Sequence, residues 1–249
     1  DNTTEQPSLL VIPFVNISRR EEDEVVCDGM TDALISQLSR VDILQAISRT
    51  SAMQYKNTEK KVSEIVGELG LQYLIEGSIL IIGDQIQINA SLIDAEKDKQ
   101  IWSDSYERPF KNILQIFKEV SAAVIDGVGK SMTGGSTPGQ DPIVSQETIV
   151  VDPEAYKSYL KGRQLRQKKE SKSMELATVS LRQSIGIDPT FGAAYAELAL
   201  NAIMRGAFGY VLMDESLRED VQLNTDRALK LDERLAEAYV ALALTWEFI

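Results

Sequence analysis

Histidine is absent from this 249-residue chain, and cysteine occurs once, at Cys27. The first absence removes the side chain that most often acts as a general base near neutral pH, the Ser-His and Cys-His pairs, and the commonest zinc ligand. The second leaves no partner for an intrachain disulfide and no cysteine cluster for a metal. Most enzyme classes lose their usual machinery on these two counts, and neither a cofactor nor a catalytic residue is expected. No apolar run approaches the roughly 18 residues that cross a bilayer. The start, Asp1-Asn2-Thr3-Thr4-Glu5, lacks the basic and apolar regions of a secretory leader. The chain reads either as cytosolic or as a portion of something longer. Positive charge is also scarce: 26 Lys and Arg face 38 Asp and Glu, a formal charge of −12. Such a surface repels nucleic acid and anionic lipid taken as a whole, so no nucleic-acid contact is expected.

What is present is an ordinary core-forming balance, 43% apolar and 26% charged residues, enough for one or two domains. The most regular stretch runs from Leu71 to Arg108 and predicts three consecutive antiparallel strands. In the middle strand Ile86, Ile88, Ala90 and Leu92 fall on one face, and Gln85, Gln87, Asn89 and Ser91 on the other, the period of a half-buried strand. Gly83-Asp84 suits a two-residue hairpin loop. Gly77 interrupts the first strand, where glycine marks either a bulge or a close backbone approach. The third strand is expected over Gln100 to Arg108, with Trp102 and Tyr106 on one face, in core or inter-strand packing or, alternatively, as a platform for a ligand.

Upstream, Leu9-Leu10-Val11-Ile12 before Pro13-Phe14 is a short apolar run, as for a strand buried on both faces. Ser18 to Glu24 reads as an exposed charged loop. A helix follows over Asp23 to Ser39, then a strand over Ile43 to Ser48, then a helix striped by Val62, Ile65, Val66 and Leu69 that stops at Gly70. Another helix begins near Lys111. The order β-α-β-α-β-β-β-α gives a two-layer α/β (α+β) domain with a mixed sheet over residues 1–133. Asp28-Gly29 and Glu76-Gly77-Ser78 lack the glycines and Lys-Ser/Thr of a phosphate loop. Arg49, at a strand exit, is expected to pair with a carboxylate.

Pro13-Phe14-Val15-Asn16, Cys27 to Ile35, Ile47-Ser48-Arg49-Thr50-Ser51, Glu68-Leu69-Gly70, Leu74 to Ser78, Leu92-Ile93-Asp94 and Ile101 to Tyr106 follow in an order and spacing that resembles the TolB-like amino-terminal domain. The resemblance covers nearly all of residues 8–130. It implies a region found beyond the membrane helix of bacterial class III adenylate or guanylate cyclases and of CadC-like transcription regulators, usually followed by tetratricopeptide repeats. It also implies an extracytoplasmic, periplasmic location, with the membrane reached only through a segment outside this chain.

Thr133 to Pro142, rich in Gly, Pro and polar residues, predicts a linker over 134–150, with Ile149-Val150-Val151 as a short extended segment. From Asp152 the period becomes helical. Asp152-Pro153 with Ala155-Tyr156 recurs as Asp188-Pro189 with Ala194-Tyr195, and as Asp232 with Ala238-Tyr239. The intervals of Asp152, Asp188 and Asp232 approach that of a tetratricopeptide repeat if the second contains an enlarged loop around Gly206 to Asp214. An all-α repeat domain is therefore expected over 151–249, its last unit, Leu235 to Ile249, being a single helix. Lys157, Lys161 and Lys168 share a helix face, which in that repeat family lines a groove. With Gln164, and with Ala196, Leu200 and Ile203 of the second unit, they form a candidate groove for an acidic peptide, against the plainer reading of a solvated basic face. Tyr239, Trp246 and Phe248 on the last helix are a candidate interface, with a homodimer as its product. The function these readings support is a non-enzymatic sensory or scaffold region working through protein contacts, or else the regulatory region of a cyclase whose catalytic domain lies outside the chain.

Overall fold

The computed structural model describes residues 6–18, 20–39, 41, 44–131 and 150–245, and the backbone of Met132 and of residues 246–248. The expected linker over 134–142, and Ile149, lie outside the described residues. The chain divides into two compact units, Asp1–Val150 and Val151–Ile249.

The first unit is α/β, with a six-stranded mixed sheet. Its elements are β1 (Ser8–Val11), β2 (Val15–Asn16), α1 (Glu24–Leu38), β3 (Gln45–Ala46), α2 (Arg49–Ala52), α3 (Val62–Leu69), β4 (Tyr73–Ile82), β5 (Gln85–Asp94), β6 (Lys99–Pro109) and α4 (Ile113–Met132). The sheet order is β3-β1-β4-β5-β6, with β2 also alongside β4. Strands β1, β2 and β3 pair in parallel, whereas β4, β5 and β6 form an antiparallel meander. Leu9, Leu10 and Val11 have no exposure, so β1 is covered on both faces. Pro13, which has no N–H to donate, separates β1 from β2.

Register decides which residues make the core. Ile86, Ile88, Ala90 and Leu92 are buried on β5, and α4, carrying the buried Ile113, Ile116, Phe117, Val120, Val124 and Val128, packs on β5 and β6. The opposite face is polar: Gln87 Nε2 donates to Ser105 Oγ at 3.2 Å and Asn89 Nδ2 to Ser78 Oγ at 3.2 Å. Gly83, at φ 58°, opens the β4–β5 turn with the positive dihedral that a glycine-first hairpin requires.

Three expectations change. The strand over Ile43 to Ser48 shrinks to Gln45–Ala46, because Ser48 accepts from the Ser51 amide and caps α2, turning the chain into a helix one residue later. Ser18 to Glu24 is not simply an exposed loop: Glu21–Asp23 form a 3₁₀ turn leading into α1, and Asp23 is fully buried. Of the two readings of Gly77, the close approach stands, since β4 and β5 pair without a break from Tyr73↔Asp94 to Ile82↔Gln85. The irregularity lies instead between Leu92 and Ile93, opposite β6.

The second unit is helical: α5 (Pro153–Gln167), α6 (Ser171–Ile187), α7 (Gly192–Ala207), α8 (Glu215–Leu231) and α9 (Ala236–Phe248). The recurring aspartates have one physical role. Asp152, Asp188 and Asp232 each accept a hydrogen bond from the amide two residues on, at Glu154, Thr190 and Arg234, at 2.9 Å in each case. Each therefore sets the turn into the next helix. Asp188 also accepts from the Asp152 amide at 3.2 Å, joining successive turns.

Candidate functional site

In the first unit the charged groups that drew attention in the sequence are fastened to one another. Asp28 and Gly29 are buried within the helix α1, and Glu76 to Ser78 form part of the strand β4, so neither forms a loop that could cradle phosphate. Lys56 Nζ reaches Asp28 Oδ1 at 2.6 Å and Glu24 Oε1 at 2.7 Å. Burial opposes the charge on Lys56, but the two carboxylates outweigh it and raise its pKa. Arg49 pairs with Asp32, as expected of an Arg at that position. Arg20 holds Asp23 through two hydrogen bonds, at 2.8 and 3.1 Å. Cys27 is buried, and burial, reinforced by Glu24 and Asp28, pushes its thiol up to about 12, which keeps it protonated and inert. Among the described residues no group of three or more His, Cys, Asp or Glu is placed to hold a metal.

The helical unit holds the candidate groove. Asp152 caps α5 by accepting from the Glu154 and Ala155 amides, and Pro153 occupies the first turn, where its missing N–H costs nothing. From that start the helical period sets the basic residues. Lys157 is ion-paired to Glu154 at 3.4 Å with most of its side chain covered. Lys161 is exposed, Gln164 half-buried, and Lys168 exposed just beyond the helix end. These four remain on or near the surface of one helix. Ala196, Leu200 and Ile203 do not join them. Leu200 and Ile203 pack with Ala199, Val221 and Ala241, and Ala196 with Ala228 and Ala238. They belong to the core between α7, α8 and α9 and offer no surface to a peptide. On α9, Tyr239 is half-exposed, while the side chains of Trp246 and Phe248 lie outside the described residues.

The structure adds a polar seam that the sequence reading passed over. Glu197, with 1% exposure, binds Arg166 of α5. Arg166 Nη1 also donates to Met204 Sδ at 3.1 Å. One turn on, Asn201 Nδ2 donates to the Met174 carbonyl and to Thr178 Oγ1, both at 2.9 Å, and Arg205 Nη1 donates to the same hydroxyl at 3.3 Å. Glu197, Asn201 and Arg205 recur every four residues along α7, a polar stripe in an otherwise small and apolar helix. That spacing was the available signal. Glu197 Oε2, Asn201 Oδ1, Arg205 Nε and Gln167 Oε1 have no hydrogen-bond partner among the described residues. Nearby, Tyr159 packs edge-on to Phe191 at 5.0 Å. Burial pushes its phenol up to about 12 against the pull of Arg163, so it stays protonated and cannot act as a base. Chemically the described residues of the unit offer cations, aromatic faces and hydrogen-bonding groups.

Comparison with known proteins gives the following. Residues 5–122 match the family model for the second domain of HilA/YgeH-like transcriptional regulators. A protein of Rhizobium meliloti (strain 1021) named "Putative adenylate cyclase 3" is 32% identical over 199 residues, which cover 80% of this chain and 33% of the relative. The chain thus spans about a third of that relative's length. Two solved structures are similar to parts of it. TolB from Acinetobacter baumannii has 20% identity and a TM-score of 0.39, over 54% of this chain and 30% of that one. Lipoprotein GNA1162 from Neisseria meningitidis has 15% identity and a TM-score of 0.37, over 50% of this chain and 99% of that one.

Proposed function

We propose that this chain is a non-catalytic sensory or scaffold region of a bacterial signalling protein, in which the α/β unit is followed by tetratricopeptide-type helix pairs that bind a protein or peptide. The observation that carries the reading is the match to the Rhizobium meliloti relative over 80% of the chain, more than either compact unit alone accounts for. A combination of the two units shared with a much longer protein fits a module that serves a separate effector domain. In this reading Lys161 on α5 and Lys168 just past its end offer positive charge to an acidic segment beside Lys157 and Gln164, and the region works on the periplasmic side of a membrane protein. The effector is the catalytic domain of a class III adenylate or guanylate cyclase, which this region regulates.

The match of residues 5–122 to a transcriptional regulator's domain favours a second reading, in which the effector is a DNA-binding domain. The reading frame upstream of Asp1 separates the two, encoding a cyclase catalytic domain in the first case and a DNA-binding domain in the second. The non-catalytic assignment has its own test. The purified chain, given ATP or GTP with magnesium or manganese, is expected to release neither cyclic nucleotide nor phosphate. Turnover that survives repurification and disappears on replacing one acidic residue overturns it.

A further inference from the structure

Helices α7 and α8 are joined by Phe208 to Asp214, a connection whose side chains are mostly apolar and yet face solvent. Leu212 is 81% exposed, and Phe208, Tyr210 and Met213 are exposed with it. The loop is held in place all the same. The Tyr210 amide donates to the Arg205 carbonyl at 2.8 Å, and the rings of Phe208 and Tyr210 lie 5.8 Å apart. Met213 Cγ sits 2.8 Å from where a Cβ on Gly206 would stand, so the loop folds back on α7.

The Tyr210 hydroxyl donates to the Lys169 carbonyl at 2.9 Å, tying this apolar tip to the turn between α5 and α6. Lys168, Lys169 and Lys172 are exposed around that turn, with no ion pair among the described residues. The neighbouring acids are held in place but keep their charge. Glu170 accepts from Ser173 at 3.0 Å, Asp214 caps α8 by accepting from the Leu217 amide at 3.0 Å, and Glu215 faces Arg218 at 3.9 Å. Three exposed lysines, outnumbering the carboxylates of Glu170 and Asp214, therefore border an apolar wedge on a chain whose net charge is −12.

We propose that this tip docks on an anionic lipid bilayer, with Phe208, Tyr210, Leu212 and Met213 entering the headgroup region while Lys168, Lys169 and Lys172 meet the lipid phosphates. Aromatic and aliphatic side chains beside lysines are the composition of an interfacial anchor. A protruding leucine suits a deformable surface, since it needs no preformed pocket. Charge complementarity selects the lipid: the lysines are attracted to anionic headgroups.

The test is co-sedimentation of the full chain with vesicles of phosphatidylcholine alone and of phosphatidylcholine mixed with phosphatidylglycerol. Binding to the anionic vesicles is expected to be at least about tenfold stronger, and to weaken as salt is raised. Leu212→Asp abolishes it, and joint replacement of Lys168, Lys169 and Lys172 by Gln weakens it about a hundredfold. Circular dichroism of each variant establishes that it is folded. A fluorophore attached at Leu212→Cys, with the buried Cys27 protected from labelling, is expected to brighten on anionic vesicles alone. Absence of binding by the native chain overturns the proposal, as does binding that these variants leave unchanged. Capture of poly-glutamate in place of vesicles assigns the patch to an acidic protein and also overturns it.

Discussion

Gly77 lies where β4 passes under Phe14 and beside β5. A Cβ there would stand 2.3 Å from Phe14 Cε1 and 2.4 Å from the Asn89 carbonyl oxygen. The ring can shift; the strand backbone cannot without breaking the ladder. Gly77→Ala is therefore expected to cost about 3 kcal/mol, read as a lowered urea midpoint for the α/β unit. Asp94, at the end of β5, accepts from the Lys97 amide at 3.0 Å and from Lys97 Nζ at 2.6 Å, closing the turn into β6. The Lys97 ammonium, then the amide bond, hold its pKa below the ordinary value against the opposing effect of burial. A carboxyl with a depressed folded-state pKa stabilises above its unfolded value and loses that stabilisation as pH falls through the folded value. Asp94→Asn should thus cost about 1 kcal/mol at neutral pH, the exposed lysine keeping the figure modest, and the deficit should vanish in strong acid. Paired urea titrations at neutral pH and in strong acid measure both. A deficit that is the same at both pH values removes the charge from the explanation.

At the scale of elements, the meander and its covering helix were legible because each obeys one period. Ile86 to Leu92 alternate without exception, and Val120, Val124 and Val128 recur every four residues. What stayed hidden was set by side chains finding partners distant in sequence. Ser48 capping α2 converts an expected strand into a helix, and Asp23 is buried because Arg20 folds onto it. Helical spacing places Lys157 and Lys161 on α5 and Lys168 just past its end, but cannot say which face of α7 the next helix covers. Ala196, Leu200 and Ile203 are therefore core, and the polar stripe Glu197-Asn201-Arg205 meets α5 and α6 instead. The stripe yields a prediction for its element. Glu197→Ala leaves Arg166, 16% exposed, without its carboxylate and should cost the helical unit about 3 kcal/mol. Replacing Arg166 by Met and Glu197 by Leu together should restore most of that loss. Thermal unfolding of single and double variants decides it, and additive losses would show that the pair is not coupled.

At the scale of the whole molecule, α9 carries apolar side chains that face outward. Its Ala238 and Ala241 are buried against the preceding helices, whereas Tyr239 and Val240 on the same helix are half-exposed. Leu223 on α8 is 69% exposed. Helix pairs in a stack bury such faces against the next pair or against another molecule. Several hundred Å² of apolar surface, at about 25 cal/mol per Å², would contribute several kcal/mol to whatever covers it. A second copy can offer the same face about a two-fold axis, so that Tyr239 meets its own equivalent. The 249-residue chain is accordingly expected to dimerise in solution, and joint replacement of Tyr239 and Val240 by Glu to give monomers with unchanged helix content. Mass measured by sedimentation equilibrium across a concentration series checks both halves. If the unsubstituted chain is monomeric throughout, self-association is not what covers α9.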